Sequence, residues 1–211
     1  CSRAPTGAQW VHEIKWDGYR LLCLKGRSGA KLLTRRGHDW TPRFPGIAAA
    51  VEALPVDSIV LDGEAVVEGE NGVASFSALQ NALSDEHGGI ARDAMLYAFD
   101  LLYLDGFDLR ALPLGDRKER LAAIVPAGAP GALRYGEHLE ADGEAMARSA
   151  AELGLEGIVS KRRDRPYRSG RTSDWLKTKF VERQEFAIVG YVPSTATRRA
   201  VGSIALGYNE D

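Results

Sequence analysis

Nine strand-like runs dominate the chain and constrain its fold more than any other feature. They are Trp10–Trp16, Tyr19–Lys25, Ala30–Arg35, Ser58–Val67, Met95–Leu104, Gly157–Lys161, Trp175–Val181, Phe186–Val192 and Val201–Tyr208. These runs are rich in Val, Ile, Leu, Tyr and Phe and are bounded by Gly, Asp or Pro, the punctuation of strands. Asp-Gly recurs at 17, 62, 105 and 142, and this dipeptide is a strong hairpin-turn signal. Helical periodicity is confined to Pro45–Leu54, Phe76–Leu83 behind a Ser75 cap, Gly115–Val125 opening with Asp116, and Ala-rich Gly143–Leu153. Strands and helices do not alternate regularly, so the pattern predicts an α+β fold with mainly antiparallel sheets. The 211 residues, 45% hydrophobic, suit one domain with a substantial core, or one domain and part of another. A boundary is expected near Glu182–Gln184, giving domains 1–182 and 183–211. The second holds two apolar strands joined by a polar loop, the first hairpin of a small β domain.

Several classes are disfavoured by composition. No apolar run approaches the ~18 residues of a membrane helix. The opening CSRAPTGAQ lacks a signal peptide's apolar segment. Cys1 and Cys23 build neither a disulfide framework nor a metal cage, and the histidines at 12, 38, 87 and 138 are scattered. The expectation is a cytoplasmic protein with no structural metal and no membrane partner. Net charge is -2, yet nine Lys/Arg face three acids between Ser160 and Arg183, leaving that segment at +6 and the remainder at -8. Such a stripe is either a patch for phosphates or a solvated loop.

The stretch WVHEIKWDGYR, residues 10–20, sharpens the question. Read as a strand, it puts Val11, Glu13, Lys15 and Asp17 on one face and His12, Ile14 and Trp16 on the other. A free lysine has a pKa of about 10.4, so keeping Lys15 neutral at pH 7 costs roughly 4.6 kcal/mol unless nearby cations lower it. The distant basic segment could supply that charge by folding over it. The alternative is an ordinary amphipathic hairpin. In VLDGEAVV, Asp62 and Glu64 share one face of an apolar strand and need partners there: a cation, a metal or a hydroxyl. The blander reading is a turn aspartate and a salt-bridged glutamate. In YAFDLLYLDG, Phe99 is either a stacking platform for a flat base or a core residue. LEGIVSKR is an apolar strand entered by Glu156 and left by Lys161, with a glycine that permits close approach. RTSDWLKTK sets Trp175, Lys177 and Lys179 on one strand face, where the two lysines can converge on one phosphate or stay in solvent.

Taken in order, these elements carry more than each alone. Lys15-x-Asp-Gly-x-Arg20, Arg35, Leu-Asp-Gly-Glu64, Tyr-x-Phe99-Asp, Glu156-Gly-x-Val-x-Lys and Trp-Leu-Lys177-x-Lys179 resemble the covalent nucleotidyltransferases, and among them the ATP-dependent DNA ligases. The resemblance runs from Trp10 to Lys179 and on into the trailing hairpin. The details TRRGHDW, YAFDLLYLDG and RTSDWLKTKF look most like the ligase domain of bacterial end-joining ligases, the ligase D group.

That resemblance implies an antiparallel-sheet nucleotidyltransferase domain followed by the start of an oligonucleotide-binding (OB) barrel. It implies that Lys15 takes AMP from ATP, passes it to a DNA 5′-phosphate and allows a 3′-hydroxyl to seal the break. Asp17 belongs to the same catalytic motif. Glu13 falls where the family contacts the adenine amino edge, with Ile14 beside it. Arg20 falls near the ribose and substrate phosphate, and Arg35 on the ribose or DNA 5′-phosphate. Glu64 matches a carboxylate for ribose or metal, Phe99 the adenine-stacking ring and Val159 the opposite adenine face. Glu156 matches a metal-linked carboxylate. Arg171, Lys177 and Lys179 match the α-phosphate and pyrophosphate region. Mg²⁺ or Mn²⁺ suits such oxygen ligands. Implied partners are nicked or broken duplex DNA, the Ku end-binding protein, and polymerase and nuclease domains in the same polypeptide, near the bacterial nucleoid. The family's last barrel motif, Arg-x-Asp-Lys, lies beyond Asp211, so a fragment ending there is expected to adenylate slowly and seal poorly. An RNA ligase, an mRNA-capping guanylyltransferase, and a non-catalytic nucleic-acid-binding module stay open as alternatives.

Overall fold

A computed structural model describes residues 3–69, 73–84, 86, 89–125, 128, 131–180, 187–197 and 200–207. It divides into two compact units, Cys1–Phe180 and Val181–Asp211. The expected boundary at Glu182–Gln184 lies outside the described residues, as do the ends of the strands expected at Val181, Phe186 and Tyr208.

The first unit holds two antiparallel sheets. The larger is built from β2 (Tyr19–Gly26), β3 (Gly29–Thr34), β4 (Ile59–Val66), β5 (Met95–Leu104) and β6 (Phe107–Asp108), in the order β3-β2-β4-β5-β6. A short strand, β7 (Leu133–Tyr135), runs parallel to β5. The smaller sheet has the order β1-β8-β9: β1 (Trp10–Ile14), β8 (Gly157–Arg162) and β9 (Trp175–Lys179). Helices α1 (Pro45–Glu52), α2 (Phe76–Ala82) and α3 (Leu114–Ile124) cover the larger sheet's apolar face. Leu21, Leu32, Phe44, Ile47, Val51, Ile59, Leu61, Leu79, Leu96, Leu101 and Leu121 are wholly buried there. Helix α4 (Gly143–Glu152) closes a second, smaller core with Ala4, Ala150 and Ile158. Its first turn is held by the Asp142 side chain, which accepts from Ala145 N–H at 2.9 Å, an N-cap that satisfies one of the helix's unpaired donors.

The expected α+β pattern of mainly antiparallel sheets is the one observed, and boundaries differ by a residue or two. The Asp-Gly dipeptides are another matter. Asp105-Gly106 does turn β5 into β6, with φ of 43° and 94°, the paired positive angles of a tight hairpin. Asp62-Gly63 instead lies inside β4, where the pairing with β5 shifts register. Asp142 is a helix cap, and Asp17-Gly18 lies in the loop between β1 and β2. The turn from β2 to β3 is made by Arg27 and Ser28, between the paired Gly26 and Gly29. A turn dipeptide is only locally informative, and cross-strand packing on both sides of Asp62 overrides it.

The second unit, taken by itself, shows β10 (Ala187–Pro193) paired antiparallel with β11 (Val201–Gly207). Ile188, Val189, Tyr191, Val192, Val201, Ile204 and Leu206 along this hairpin are exposed.

Candidate active site

The site lies between the two sheets of the first unit and starts where β1 stops. The strand ends at Ile14, two residues short of the expected Trp16, and Lys15 begins a loop. Two contacts fix that loop. Lys15 N–H donates to Gly157 O at 2.9 Å. Gly18 packs so closely on β4 that a Cβ there would stand 2.1 Å from Ala65 O. Only glycine fits, which explains the Gly of Lys-x-Asp-Gly in physical terms.

Lys15 Nζ donates to Glu156 Oε2, and Lys179 Nζ donates to the other oxygen, Oε1, at 2.9 Å. Partial burial opposes ionisation of Glu156, but the two ammoniums outweigh it and hold the carboxyl below the usual range. Lys177, on the same face of β9 as Lys179, stands among the charges of Lys15, Glu64, Arg20 and Glu156. Burial and then the Lys15 charge push its ammonium below the ordinary lysine range. Glu64 faces these cations from β4. Burial pushes its carboxyl up, against the pull of Arg20, Lys15 and Lys177, to about 7. Exposed Asp17 adds its charge near Lys179. Three lysines, an arginine and two carboxylates thus converge from β2, β4, β9, the residue before β8 and the β1–β2 loop.

Beside this cluster is an aromatic and cationic wall. Phe99 on β5 is half-buried and meets Trp175 edge-on, with centroids 5.9 Å apart. The Lys161 ammonium stands 4.1 Å from the centre of each of those rings, and the Arg20 guanidinium lies 5.5 Å and 5.4 Å away. Arg20 is held by a two-point ion pair to buried Asp62, at 2.8 and 2.6 Å, and Tyr167 also donates to Asp62 at 3.1 Å. A paired carboxylate of this kind raises the guanidinium's already high basicity.

Glu13, expected at the adenine edge, is tied to two lysines in the structure. Its carboxylate is buried and accepts from Lys118 at 2.7 Å and from Lys161 at 2.5 Å. Burial opposes ionisation, and the two lysines overcome it, so the carboxyl sits below its usual range. Both oxygens are engaged in an ion triad that ties β1 to α3 and β8. The shared-face reading of Glu13 with Lys15 and Asp17 fails, because the strand ends between them. Ile14 pairs with Ile158, and half-buried Val159 lies in β8 between Glu13 and Lys177. Arg35 and Arg171 are exposed, in the turn after β3 and the loop before β9.

Sequence reasoning missed Asp62 as the partner of Arg20, and it missed Lys118, Asp100, Arg117 and Tyr167. One signal was present. Leu114, Arg117, Lys118 and Leu121 follow helical spacing, so two cations occupy positions of α3 that point into the core, and all four residues are buried. Arg117 answers Asp100 with bonds of 2.7 and 2.8 Å, both groups fully buried.

The donor set for a metal is spare. Among the described residues no group of three or more His, Cys, Asp or Glu could cage an ion. Glu64 and Glu156 are nevertheless hard oxygen donors on either side of Lys177, which fits Mg²⁺ or Mn²⁺ bound through one or two carboxylates together with substrate phosphates.

The family model of the ATP-dependent DNA ligase domain matches residues 3–179. The chain belongs to that family. Among relatives, it is 42% identical over 209 residues to the multifunctional non-homologous end joining protein LigD of Pseudomonas aeruginosa, covering 98% of this chain and 24% of that protein. It is 38% identical over 202 residues to LigD of Mycobacterium tuberculosis, covering 95% of this chain and 25% of that protein. The ligase chain therefore spans about a quarter of the length of these relatives. Among solved structures, the ligase domain of M. tuberculosis LigD superposes with a TM-score of 0.73 at 36% identity, covering all of this chain and 67% of that one. A mycobacterial DNA ligase D complexed with ATP and MES gives a TM-score of 0.70 at 35% identity, over 97% of this chain and 66% of that one. The mixed fold with antiparallel sheets is thus that of a LigD ligase domain. Among the described residues no helix is long and apolar enough to cross a membrane.

Proposed function

We propose that this chain carries the adenylating site of a bacterial end-joining DNA ligase, with Lys15 as the nucleophile. The observation that carries the reading is the pairing of Lys15 with Glu156 at the strand's end, among Lys177, Lys179 and Arg20. Glu156 orients the amine. Lys15 Nζ first gives a proton by way of Glu156 to solvent; its lone pair then attacks the α-phosphorus of ATP, an N–P bond forms, the P–O bond breaks and releases pyrophosphate, and the nitrogen sheds a second proton to water. Lys177 and Lys179 neutralise the charge that spreads over the phosphate oxygens, which is what phosphoryl transfer asks of its surroundings. Phe99 and Val159 flank the base, and Arg20, preset by Asp62, reaches the ribose and phosphate. Glu64 and Glu156 would hold Mg²⁺ or Mn²⁺, which supplies further positive charge at the phosphates. AMP then passes from Lys15 to a DNA 5′-phosphate, and a 3′-hydroxyl displaces it to seal the strand.

The wider setting follows the LigD relatives: broken or nicked duplex DNA as substrate, Ku and fused polymerase and nuclease domains as partners, in the bacterial cytoplasm near the nucleoid. Residues 1–182 form the adenylation domain, and 183–211 begin an OB barrel. Arg35 and Arg171, exposed in the free protein, serve the DNA phosphates and the leaving group. Incubation with α-labelled ATP or GTP tests the reading. The protein should become labelled from ATP only, and Lys15→Ala should abolish the label with its melting temperature preserved. Labelling from GTP alone, or undiminished labelling of Lys15→Ala, would overturn it.

A further inference from the structure

The loop that bears Lys15 has a third anchor, which neither the motif nor the phosphate cluster uses. Trp16, directly after Lys15, stacks face to face on Tyr97 of β5, with centroids 3.8 Å apart and planes within 16°. Tyr97 is itself fixed twice. Its hydroxyl donates to Glu68 at 2.8 Å, and its backbone pairs with Glu64 across β4 and β5. Two residues on, along the same face of β5, stands Phe99. Both stacked rings are half-buried, at the rim of the site rather than in the main core. From Lys15 N–H on Gly157 to Gly18 against Ala65, the loop spans the gap between the two sheets. Asp17 is exposed, so Trp16 supplies the ring that ties the middle of this span to the larger sheet.

We propose that the Trp16–Tyr97 stack is a positioning clamp that sets the Lys15 amine relative to Glu64 and Phe99. It rests on the assignment of Lys15 as nucleophile. Neither ring touches the reacting atoms. The clamp acts through the backbone of the residue it adjoins, so its loss frees the amine within the loop while leaving the phosphate and base contacts in place. Displacements near 1 Å in such a nucleophile cost about 100-fold in rate. The effect therefore falls on the maximal rate and not on the ATP concentration that half-saturates it.

Single-turnover adenylation across a range of ATP concentrations, with melting temperature in parallel, tests this. Trp16→Ala and Tyr97→Leu should each lower the maximal rate by roughly 10- to 100-fold. The half-saturating ATP concentration should shift by less than about 2-fold, because the binding groups are intact. Trp16→Phe restores a stackable ring and should recover most of the rate. Trp16→Ala combined with Tyr97→Leu should be no slower than the slower single variant, as two halves of one contact require. If Trp16→Ala loses cooperative melting, Tyr97→Leu and Trp16→Phe carry the test. Maximal rates within about 2-fold of the parent in the single variants, or losses that multiply in the double, would overturn the clamp. Lys15→Ala run alongside separates the two readings. Loss of its adduct beside full-rate Trp16→Ala removes the clamp alone, whereas an adduct that survives Lys15→Ala removes the nucleophile.

Discussion

Arg117 and Asp100 show at the scale of single residues why the larger sheet keeps its shape. Both are fully buried and paired through two bonds, with Arg117 also donating to Leu112 O at 2.6 Å. Removing one partner strands the other charge in the core. Arg117→Ala should therefore cost about 3–5 kcal/mol, read by urea unfolding. Glu64 supplies a pH test. Its carboxyl is pushed to about 7 from an ordinary 4.5. Below the ordinary value it is protonated whether folded or unfolded, and nothing is lost. As pH climbs towards 7 the unfolded chain releases the proton that the folded chain retains, so stability falls across that window and levels off above it. Glu64→Gln should escape this loss, gaining on the parent by up to about 3 kcal/mol between pH 4 and 8. Urea midpoints at the two pH values check it, and a parent that gained on the variant would reverse the sign. Some residue roles could be read from sequence because a charge in an apolar run must be answered, as with Asp62 and Glu64. Which charge answers it could not, because Arg20 lies 42 residues from Asp62 and Lys118 lies 105 from Glu13.

At the scale of elements, the site depends on where strands stop and how closely they approach. Alternation along WVHEIKW reads as one strand, but β1 ends at Ile14 so that Lys15 can bond Gly157 and swing towards Glu156. Periodicity marks a strand's existence better than its end, since the end is decided by a partner strand far along the chain, where Ile14 pairs with Ile158. β8 and β9 meet through Gly157, where a Cβ would stand 2.3 Å from Thr178 O. Gly157→Ala must push the strands apart between Glu156 and Lys179. We expect a cost of about 1–3 kcal/mol and a slower adenylation rate, measured by thermal melting and labelled-ATP kinetics. Helix α4 is the simpler case. Asp142→Ala should lose about 1 kcal/mol by unfolding assay, because it leaves the Ala145 N–H without its cap.

Across the whole molecule, charge is redistributed by folding. The run from Ser160 to Arg183 reads as a +6 stripe, yet most of its cations are answered by acids from several parts of the chain. Lys161 meets Glu13, Arg162 meets Asp164, Arg163 meets Glu140, and Lys179 meets Glu156. The stripe is thus less a continuous phosphate patch than a set of internal ties with a few outward cations, Arg168 and Arg171 among them. Salt dependence of duplex binding tests this. Arg168→Ala and Arg171→Ala should each reduce the slope by about 1, as a phosphate contact does, and Arg163→Ala by clearly less. The strand runs and the order of motifs were legible in the sequence because both are local. The ion triad of Glu13, Lys118 and Lys161 was not, because it is assembled from three separate elements. The most direct test of the account is the intact mass of the folded protein, within its complete polypeptide, after exposure to ATP and magnesium, followed by peptide mapping. One adenylyl group on the peptide containing Lys15 is the predicted result. A folded protein with no adduct, or with its adduct on a peptide lacking Lys15, would contradict it.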